Sequence, residues 1–227
     1  MVPQFIQKEI NKQFNTSDIF AHKYYAQEGE DILLLRYFNY KKNGFFVDIG
    51  AHHPTKLSNT YKLYDLGWNG INIDAMPGSM QKFNELRNRD INIEAAVSDK
   101  IETLTYFKFN EPALNTLDEV KARNIIENSP FKLTDKISLK CKTLKQILEE
   151  NLPVNTPIDF FSIDVEGFDL RALKSNDWQK FKPKVIIVEC DDINLDFILT
   201  NAITIYLNNI GYKPFAKTFK SVFYHLS

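Results

Sequence analysis

Short apolar runs alternate with helical patterns along most of the chain. The four clearest runs are Gly44–Ile49, Ile71–Asp74, Ile158–Ile163 and Val185–Val188. Runs of this length are typical of buried strands, and strands that alternate with helices favour a parallel sheet with helices on both faces. The pattern therefore predicts an α/β fold with a mostly parallel central sheet.

The same patterns predict the remaining elements. Further strands are expected at Ile91–Val97, Leu104–Phe109, Ile137–Cys141, Tyr212–Ala216 and Ser221–Leu226, and the last two would close the sheet as an antiparallel hairpin. Helices are expected at Leu57–Leu66, Gly78–Arg89, Thr143–Glu150, Phe168–Lys174 and Leu195–Ile210, with Ser79 and Thr143 as candidate N-caps.

Two stretches lie outside this alternation. Residues 1–43 are expected to form an N-terminal helical segment. Residues 110–135 are polar and irregular, which predicts a mobile loop that covers a site. Because no repeat, low-complexity tract or Gly/Ser linker interrupts the chain, residues 1–227 are predicted to form a single domain.

The composition narrows the class of protein. The chain is 44% hydrophobic and 25% charged, as ordinary globular domains are. Its 28 Lys+Arg nearly balance its 29 Asp+Glu, so we expect neither nucleic acid nor an anionic membrane as a partner. There is no apolar run of the ~20 residues that a membrane span needs, and no secretory apolar core at the N-terminus. Together with only two distant cysteines, these features predict a cytoplasmic protein.

Acidic residues follow four of the predicted strands. Asp48, Asp74, Asp164 and Glu189 each end an apolar run. Ligands of open α/β sheets bind outside the carboxyl ends of the strands, so four acids at that edge predict a site that attracts positive charge. The alternative for each acid is a helix N-cap or a solvated turn.

The loop after the first strand discriminates between cofactors. A dinucleotide requires several glycines and free backbone N–H groups for its pyrophosphate, whereas this loop has only Gly50, and Pro54 has no N–H. S-adenosylmethionine has no phosphate and carries a sulfonium and an ammonium, which suit Asp48. Asp74 is placed to bind the ribose diol, and a polar side chain at Ser98 or Asp99 could reach the adenine.

Several motifs, in order, resemble the FkbM family of S-adenosylmethionine-dependent methyltransferases. The matching stretches are QEGED (Gln27–Asp31), FFVDIGAHHPTKLSNTY (Phe45–Tyr61), GWNGINIDA (Gly67–Ala75), AAVSD (Ala95–Asp99), IDFFSIDVEGFDLRAL (Ile158–Leu173) and KPKVIIVE (Lys182–Glu189). The chain departs from the family at Ala26, where serine is usual, and at His52-His53-Pro54, where Asn-x-Gly is common.

The resemblance implies a Rossmann-like class I methyltransferase fold and O-methylation, often of sugars in polysaccharide or natural-product pathways. It also implies a set of residues that line the cofactor. These are Asp48, Gly50, Ala51, Asp74, Ala75, Ser98 and Asp99, with Gln27, Glu30, Asn59 and Thr60 near its methionine end.

A sugar hydroxyl needs a base or a metal ion to become a nucleophile at neutral pH. Asp164 and Glu166 are two residues apart in an extended segment, as are Glu189 and Asp191, so each pair faces one way. We expect Asp164, Glu166 and His53 to be catalytic. We also expect a divalent ion (Mg²⁺, Mn²⁺ or Fe²⁺) on Asp164, Glu189 and Asp191, with Glu166 as an alternative ligand.

The leading function is therefore O-methylation of a carbohydrate hydroxyl, on a nucleotide sugar or a glycan precursor. O-methylation of a non-sugar metabolite or lipid is an alternative. A nucleotide-binding oxidoreductase and a non-catalytic binding module are two further classes. The partner would be a small-molecule or glycan substrate, and the oligomeric state stays open, with a homo-oligomer as one possibility.

Overall fold

The computed structural model describes residues 22–192 and 194–227. Its core is a seven-stranded sheet with the strand order β3-β2-β1-β7-β8-β10-β9. The five strands from β3 to β8 are parallel, and β10 and β9 add an antiparallel hairpin at one edge. The predicted α/β fold with a C-terminal hairpin is confirmed.

The elements have the following bounds. The strands are β1 (Phe45–Ile49), β2 (Asn69–Asp74), β3 (Ile91–Glu94), β4 (Ala96–Val97), β5 (Thr103–Phe109), β6 (Leu133–Lys142), β7 (Phe160–Ile163), β8 (Val185–Glu189), β9 (Tyr212–Lys217) and β10 (Ser221–Leu226). The helices are α1 (Glu30–Tyr37), α2 (Tyr61–Asp65), α3 (Met80–Leu86), α4 (Glu119–Asn128), α5 (Leu144–Asn151), α6 (Asp169–Lys174), α7 (Leu195–Thr200) and α8 (Ala202–Asn209), with a 3₁₀ turn at Pro112–Leu114.

Helices cover both faces of the large sheet. On one face, Val47 and Ile49 of β1 belong to a core cluster that includes residues of α5, α6, α7 and α8. On the other face, Phe46 packs in a cluster with Leu34 of α1 and Leu63 of α2. Successive residues of a strand point to opposite faces, so β1 joins both cores. Within residues 22–192 and 194–227, no helix is long and apolar enough to span a membrane.

A second, three-stranded sheet lies beside the first, with the order β4-β6-β5. The strand predicted at Ile91–Val97 is divided between the two sheets. Ala95 still donates to the backbone of Asp74 (2.9 Å), whereas the next two residues pair with β6. The predicted strand Leu104–Phe109 pairs antiparallel with β6.

Residues 110–135 are more regular than the pattern predicted. They contain the 3₁₀ turn, helix α4 and the start of β6. Asp118 caps α4 by accepting hydrogen bonds from the backbone of Val120 and Lys121, and the apolar face of the helix packs on Phe107 and Phe109 of β5. That this segment covers a site stays a prediction.

Two helix predictions also change. The helix predicted at Leu195–Ile210 is interrupted at Asn201, whose extended backbone separates α7 from α8 and whose side chain caps α8. Ser79 precedes α3 but makes no capping hydrogen bond. Thr143, in contrast, forms a capping box with Gln146 at the start of α5, as expected of an N-cap.

A fully buried arginine connects the first two strands to the loop between them. Arg87 forms an ion pair of 2.7 Å with Asp90, and neither side chain is exposed. Its guanidinium also donates to the carbonyl of Pro54 and to Thr60 Oγ1, both at 3.2 Å, and Thr60 donates to Asp48 (2.9 Å). This network fixes the loop over residues 50–60 against β1.

We predict that Arg87→Met destabilises the protein by about 3 kcal/mol or more, because it leaves the carboxylate of Asp90 buried without its partner. Chemical denaturation measures the change in the free energy of unfolding. The matched control is Arg123→Met, which removes only an exposed pair with Glu119 and should change stability by less than about 1 kcal/mol. Equal effects of the two substitutions would contradict the account.

Candidate active site

The register of the parallel strands aligns the site at one edge of the sheet. Ile49 of β1 pairs with Ile73 of β2 and Ile163 of β7, and Ile163 pairs with Val188 of β8. The next residue on each strand therefore lies at the same level. These four residues are Gly50, Asp74, Asp164 and Glu189.

Gly50 is required at this level because the chain is crowded there. It has φ +84°, and a Cβ atom at this position would lie 1.7 Å from the carbonyl oxygen of Asp164. Gly50 was expected to line the cofactor, and in the structure the end of the neighbouring strand is what approaches it closely. The two polypeptide segments meet where the strand order reverses, which is where open α/β sheets bind ligands.

A cavity of about 250 Å³ lies at this edge. The acids Asp48, Asp74, Asp164, Glu166 and Glu189 all contribute to its wall. Other predicted site residues in the wall are Gln27, Gly50, Ala51, Asn59 and Ala75. The strand pattern thus identified most of the polar wall of one cavity.

Asp48 is a buried acid in the cavity wall. Its buried carboxylate accepts a hydrogen bond from Thr60, and burial raises its pKa. Asn59 donates to Ser162 on the neighbouring strand at 3.1 Å. Thr60 itself is fully buried and lies outside the cavity wall, so it orients Asp48 from behind.

Asp74 holds the two loops that flank the cavity. One carboxylate oxygen accepts from the backbone N–H of His52 (2.9 Å) and the other from that of Met76 (2.8 Å). Burial raises its pKa despite these bonds. Because a carboxylate offers about four acceptor positions, Asp74 keeps lone pairs that can accept from a ligand diol.

The two adjacent histidines have different positions. His52 lies in the cavity wall and has φ +52°, in the left-handed region, where Asn, Asp and His are enriched. His53 does not line the cavity. Its Nδ1 accepts from the backbone of Thr55 and Lys56, both at 3.1 Å, and burial lowers its pKa. His53 therefore stabilises its own turn, and its catalytic role stays a prediction that this geometry does not support.

Three carboxylates converge at the other end of the cavity. One oxygen each of Asp164, Glu166 and Glu189 lie within 4.8 Å of one another. We call these residues the acidic trio. Asp164 Oδ1 is shielded from solvent and accepts no hydrogen bond from the part of the chain that the structure describes. Burial, reinforced by the charges of its two neighbours, raises the pKa of Asp164.

Asp169, rather than Glu166, stabilises the turn before α6. The carboxylate of Asp169 accepts from the backbone of Val165 (3.1 Å) and Gly167 (3.2 Å) at the start of α6. Glu166 instead has φ +53° and forms an ion pair with Lys121 at 2.5 Å. Burial and the charge of Glu189 raise the pKa of Glu166 to about 7.

Asp191, predicted as a metal ligand, is not part of the trio. Its carboxylate pairs with Lys220, and its side chain is largely exposed. Glu166, the alternative ligand expected from the sequence, completes the cluster instead. The strand β8 ends at Glu189, so the period-two relation between Glu189 and Asp191 does not persist beyond it.

Three further predicted cofactor residues lie outside the cavity wall. Glu30 is buried and accepts from Thr218 (2.8 Å) and Ser221 (3.3 Å), which attaches α1 to the C-terminal hairpin. Ser98 donates to Glu102 (2.8 Å), and Asp99 pairs with Arg171. Their assigned contacts with the cofactor stay predictions that this geometry does not support.

Residues 112–117, which belong to the segment predicted to cover a site, line the cavity. Two residues were not predicted as part of the site: Tyr106, which also lines the cavity, and Lys121 on α4, which reaches the acidic trio. The cap at Asp118, followed by Ala122 and Ile125 three residues apart, was the available signal for α4. Nothing in the sequence indicated that this helix packs beside Glu166.

The sheet has the Rossmann-like topology that was predicted for this chain. The sequence profile described as "Methyltransferase FkbM domain" matches residues 48–214, which is well over half of the chain. The chain therefore belongs to the FkbM methyltransferase domain family. No curated protein matches the sequence significantly.

Two solved structures are similar in overall form. One is a precorrin-6y C5,15-methyltransferase from Geobacter metallireducens GS-15 (14% identity, 92% of this chain and 94% of that chain covered, TM-score 0.45). The other is a putative RNA methyltransferase from Pyrococcus horikoshii (9% identity, 97% and 98% covered, TM-score 0.44). At these identities and TM-scores, neither similarity bears on the substrate of this chain.

The family implies S-adenosylmethionine as the methyl donor, and the cavity fits it. The buried carboxylate of Asp48 and the half-buried carboxylate of Asp74 suit a ligand that carries cationic groups and a diol. The shielded oxygen of Asp164 also has acceptor capacity that the described residues leave unused. Gln27 and Asn59 add neutral polar contacts to the same wall.

The backbone of His52 is in the left-handed region, which few residue types adopt without strain. We expect His52→Asn to retain the stability of the wild type, because Asn tolerates this conformation, and His52→Val to lose about 1–3 kcal/mol. Chemical denaturation of both variants measures the difference. If Val and Asn had the same effect, the residue type at position 52 would not be determined by its backbone.

Proposed function

We propose that this protein transfers the methyl group of S-adenosylmethionine to a hydroxyl of a carbohydrate, either a nucleotide sugar or a glycan precursor. The observation that carries the proposal is the position of the acidic trio, and of Glu166 in particular, in the same cavity as Asp48 and Asp74. One end of the cavity suits the cofactor, and the other suits an O–H acceptor.

A hydroxyl acceptor requires a group that can take its proton, and Glu166 is suited to be that base. An alcohol is a weak nucleophile at neutral pH, and a carboxylate with a pKa of about 7, as Glu166 has, is well matched to accept its proton. The carboxylates of Asp164 and Glu189 can accept hydrogen bonds from neighbouring hydroxyls, which a polyhydroxylated acceptor supplies.

In the proposed reaction, the chain aligns and deprotonates the acceptor. S-adenosylmethionine, when bound, supplies the methyl carbon, whose bond to sulfur breaks with the electron pair left on sulfur as its bond to the acceptor oxygen forms. Asp48 and Asp74 hold the cofactor, and Glu166 takes the proton from the hydroxyl. Correct alignment alone can contribute several kcal/mol to such a displacement.

The divalent ion expected from the sequence stays a prediction. The oxygens of the trio are close enough to ligate one, and carboxylates suit Mg²⁺ or Mn²⁺. However, the ammonium of Lys121 already contacts two of the three carboxylates, so no step of the proposed reaction depends on a metal.

One alternative is an enzyme that O-methylates a non-sugar metabolite or lipid. The other is a non-catalytic module that binds a nucleotide.

The experiment that tests the proposal has two stages. Isothermal titration first compares S-adenosylhomocysteine with NAD⁺, and only the former should bind. Nucleotide sugars and oligosaccharides are then screened with methyl-labelled S-adenosylmethionine. Binding without transfer to any acceptor would favour the module, and binding of NAD⁺ alone would contradict the proposal.

We predict that Asp74→Ala weakens binding of S-adenosylhomocysteine about 10- to 100-fold, because hydrogen bonds from the ribose diol to a carboxylate are lost. Asp74→Asn, which keeps one acceptor oxygen, should lose less. Isothermal titration measures both affinities, and the exposed Asp135→Ala is the matched control. If Asp74→Ala bound S-adenosylhomocysteine as tightly as the wild type, Asp74 would not be a cofactor-binding residue.

We predict that the rate of methyl transfer rises with pH through about 7, because Glu166 accepts a proton only when it is ionised and its pKa is raised to that value. Glu166→Gln should lose this rise and reduce turnover by about 10²- to 10⁴-fold, while S-adenosylhomocysteine still binds. Initial rates across the pH range measure the profile, with the acceptor from the screen.

His53→Gln is the control for this profile, because His53 lies outside the cavity wall. It should keep the wild-type pH dependence. A profile that changes in His53→Gln and persists in Glu166→Gln would assign the base to the histidine instead.

A further inference from the structure

A lysine approaches the acidic trio from outside the cavity. Lys121 Nζ lies 2.5 Å from Glu166 Oε2 and 3.5 Å from Glu189 Oε2. Its side chain is about three-quarters buried, with 26% exposed, although it is not part of the cavity wall. The ammonium therefore contacts the two glutamates from the side of α4.

The position of this lysine is fixed by the helix that carries it. Asp118 caps α4 and accepts from the backbone of Lys121 at 3.1 Å. Thr116, just before the helix, donates to the carbonyl of Glu166 at 2.6 Å. These hydrogen bonds attach the start of α4 to the turn that presents Glu166.

Gly167 allows the two segments to approach. A Cβ atom at this position, where φ is +98°, would lie 3.1 Å from Asp118 Oδ2 and 3.4 Å from Lys121 Cδ. On its other side, α4 packs through Ala122 and Ile125 on strand β5. Lys121 is thus held by packing and hydrogen bonds on several sides, unlike a surface lysine.

The trio needs a positive partner, because three carboxylates with oxygens within 4.8 Å repel one another. Protein sites with such a set of oxygens commonly hold a divalent cation. Lys220 also lies in the cavity wall, but its ammonium pairs with Asp191. Lys121 is the cation that contacts members of the trio in the described residues.

We propose that Lys121 takes the place of a divalent cation at the acidic trio and acts as the positioning residue that holds Glu166 and Glu189 on the acceptor side of the cavity. The role in catalysis rests on the proposed function, since Glu166 must be positioned to take the proton of the acceptor hydroxyl. The competition between the ammonium and a divalent ion does not depend on it.

Binding of Mn²⁺ to the full chain tests this competition directly. Electron paramagnetic resonance measures free Mn²⁺ in titrations of the wild type, Lys121→Met, Lys121→Arg and the double variant Lys121→Met/Glu189→Gln. We expect weak binding to the wild type and to Lys121→Arg, at least tenfold tighter binding to Lys121→Met, and loss of that gain in the double variant. Lys140→Met, an exposed lysine on β6, is the matched control and should equal the wild type.

Two results would overturn the proposal. One is tight binding of Mn²⁺ by the wild type, and the other is an affinity that does not increase in Lys121→Met. Circular dichroism of each variant shows whether it is folded. If Lys121→Met does not fold, the comparison is made with Lys121→Gln, which also removes the charge.

Affinity for S-adenosylhomocysteine separates this proposal from the proposed function. Lys121→Met should bind it as the wild type does, because Lys121 does not line the cavity. Failure of the wild type to bind it would overturn the proposed function, while the Mn²⁺ result would still test the competition at the trio.

Turnover, measured with the acceptor from the screen, tests the positioning role. Turnover of the wild type should persist in a chelator, fall at least tenfold in Lys121→Met and recover in part in Lys121→Arg. Full turnover of Lys121→Met in a chelator would show that Lys121 does not position the glutamates for catalysis.

Discussion

The repulsion among the carboxylates of Asp164, Glu166 and Glu189 is the constraint on which the site depends. Parallel strands that end at one level bring acids together, and burial makes their charges costly. A cation offsets this repulsion, because α4 packs against the Glu166–Gly167 turn and places Lys121 in contact with two of the three carboxylates. The second sheet contacts that helix, because α4 packs on β5. The ion pairs of Lys121 and the packing of α4 thus connect the acidic trio with the second sheet.

The part of the cavity proposed to bind the cofactor is organised by a different buried cation. Arg87 pairs with Asp90 and donates to Thr60, and Thr60 in turn orients Asp48. Asp74 holds the backbone on both sides of the cavity by accepting from His52 and Met76. The two ends therefore have separate supports. This separation is the reason that cofactor binding and acceptor chemistry should respond to different substitutions.

The sequence predicted the large sheet, its parallel strands, the closing hairpin and most acids of the cavity. These features follow from local patterns, since apolar runs define strands and the carboxyl ends of parallel strands meet at one edge. The geometry departs from the expectations where tertiary contacts decide. His53 was expected to be catalytic, but the structure places His52 in the cavity wall, while His53 Nδ1 accepts from the backbone of its own turn. Asp191 was paired with Glu189 by alternation, although β8 ends before it. Lys121 could not be found, because its partners are more than 40 residues away along the chain.

The most direct test of the account is a crystal structure of the protein with S-adenosylhomocysteine. The account predicts that the ribose diol contacts Asp74, that the amino acid portion lies near Asp48 and Gln27, and that the sulfur faces the acidic trio, with Lys121 still in contact with Glu166. A ligand bound away from this cavity, or one bound with its sulfur directed away from the trio, would contradict it.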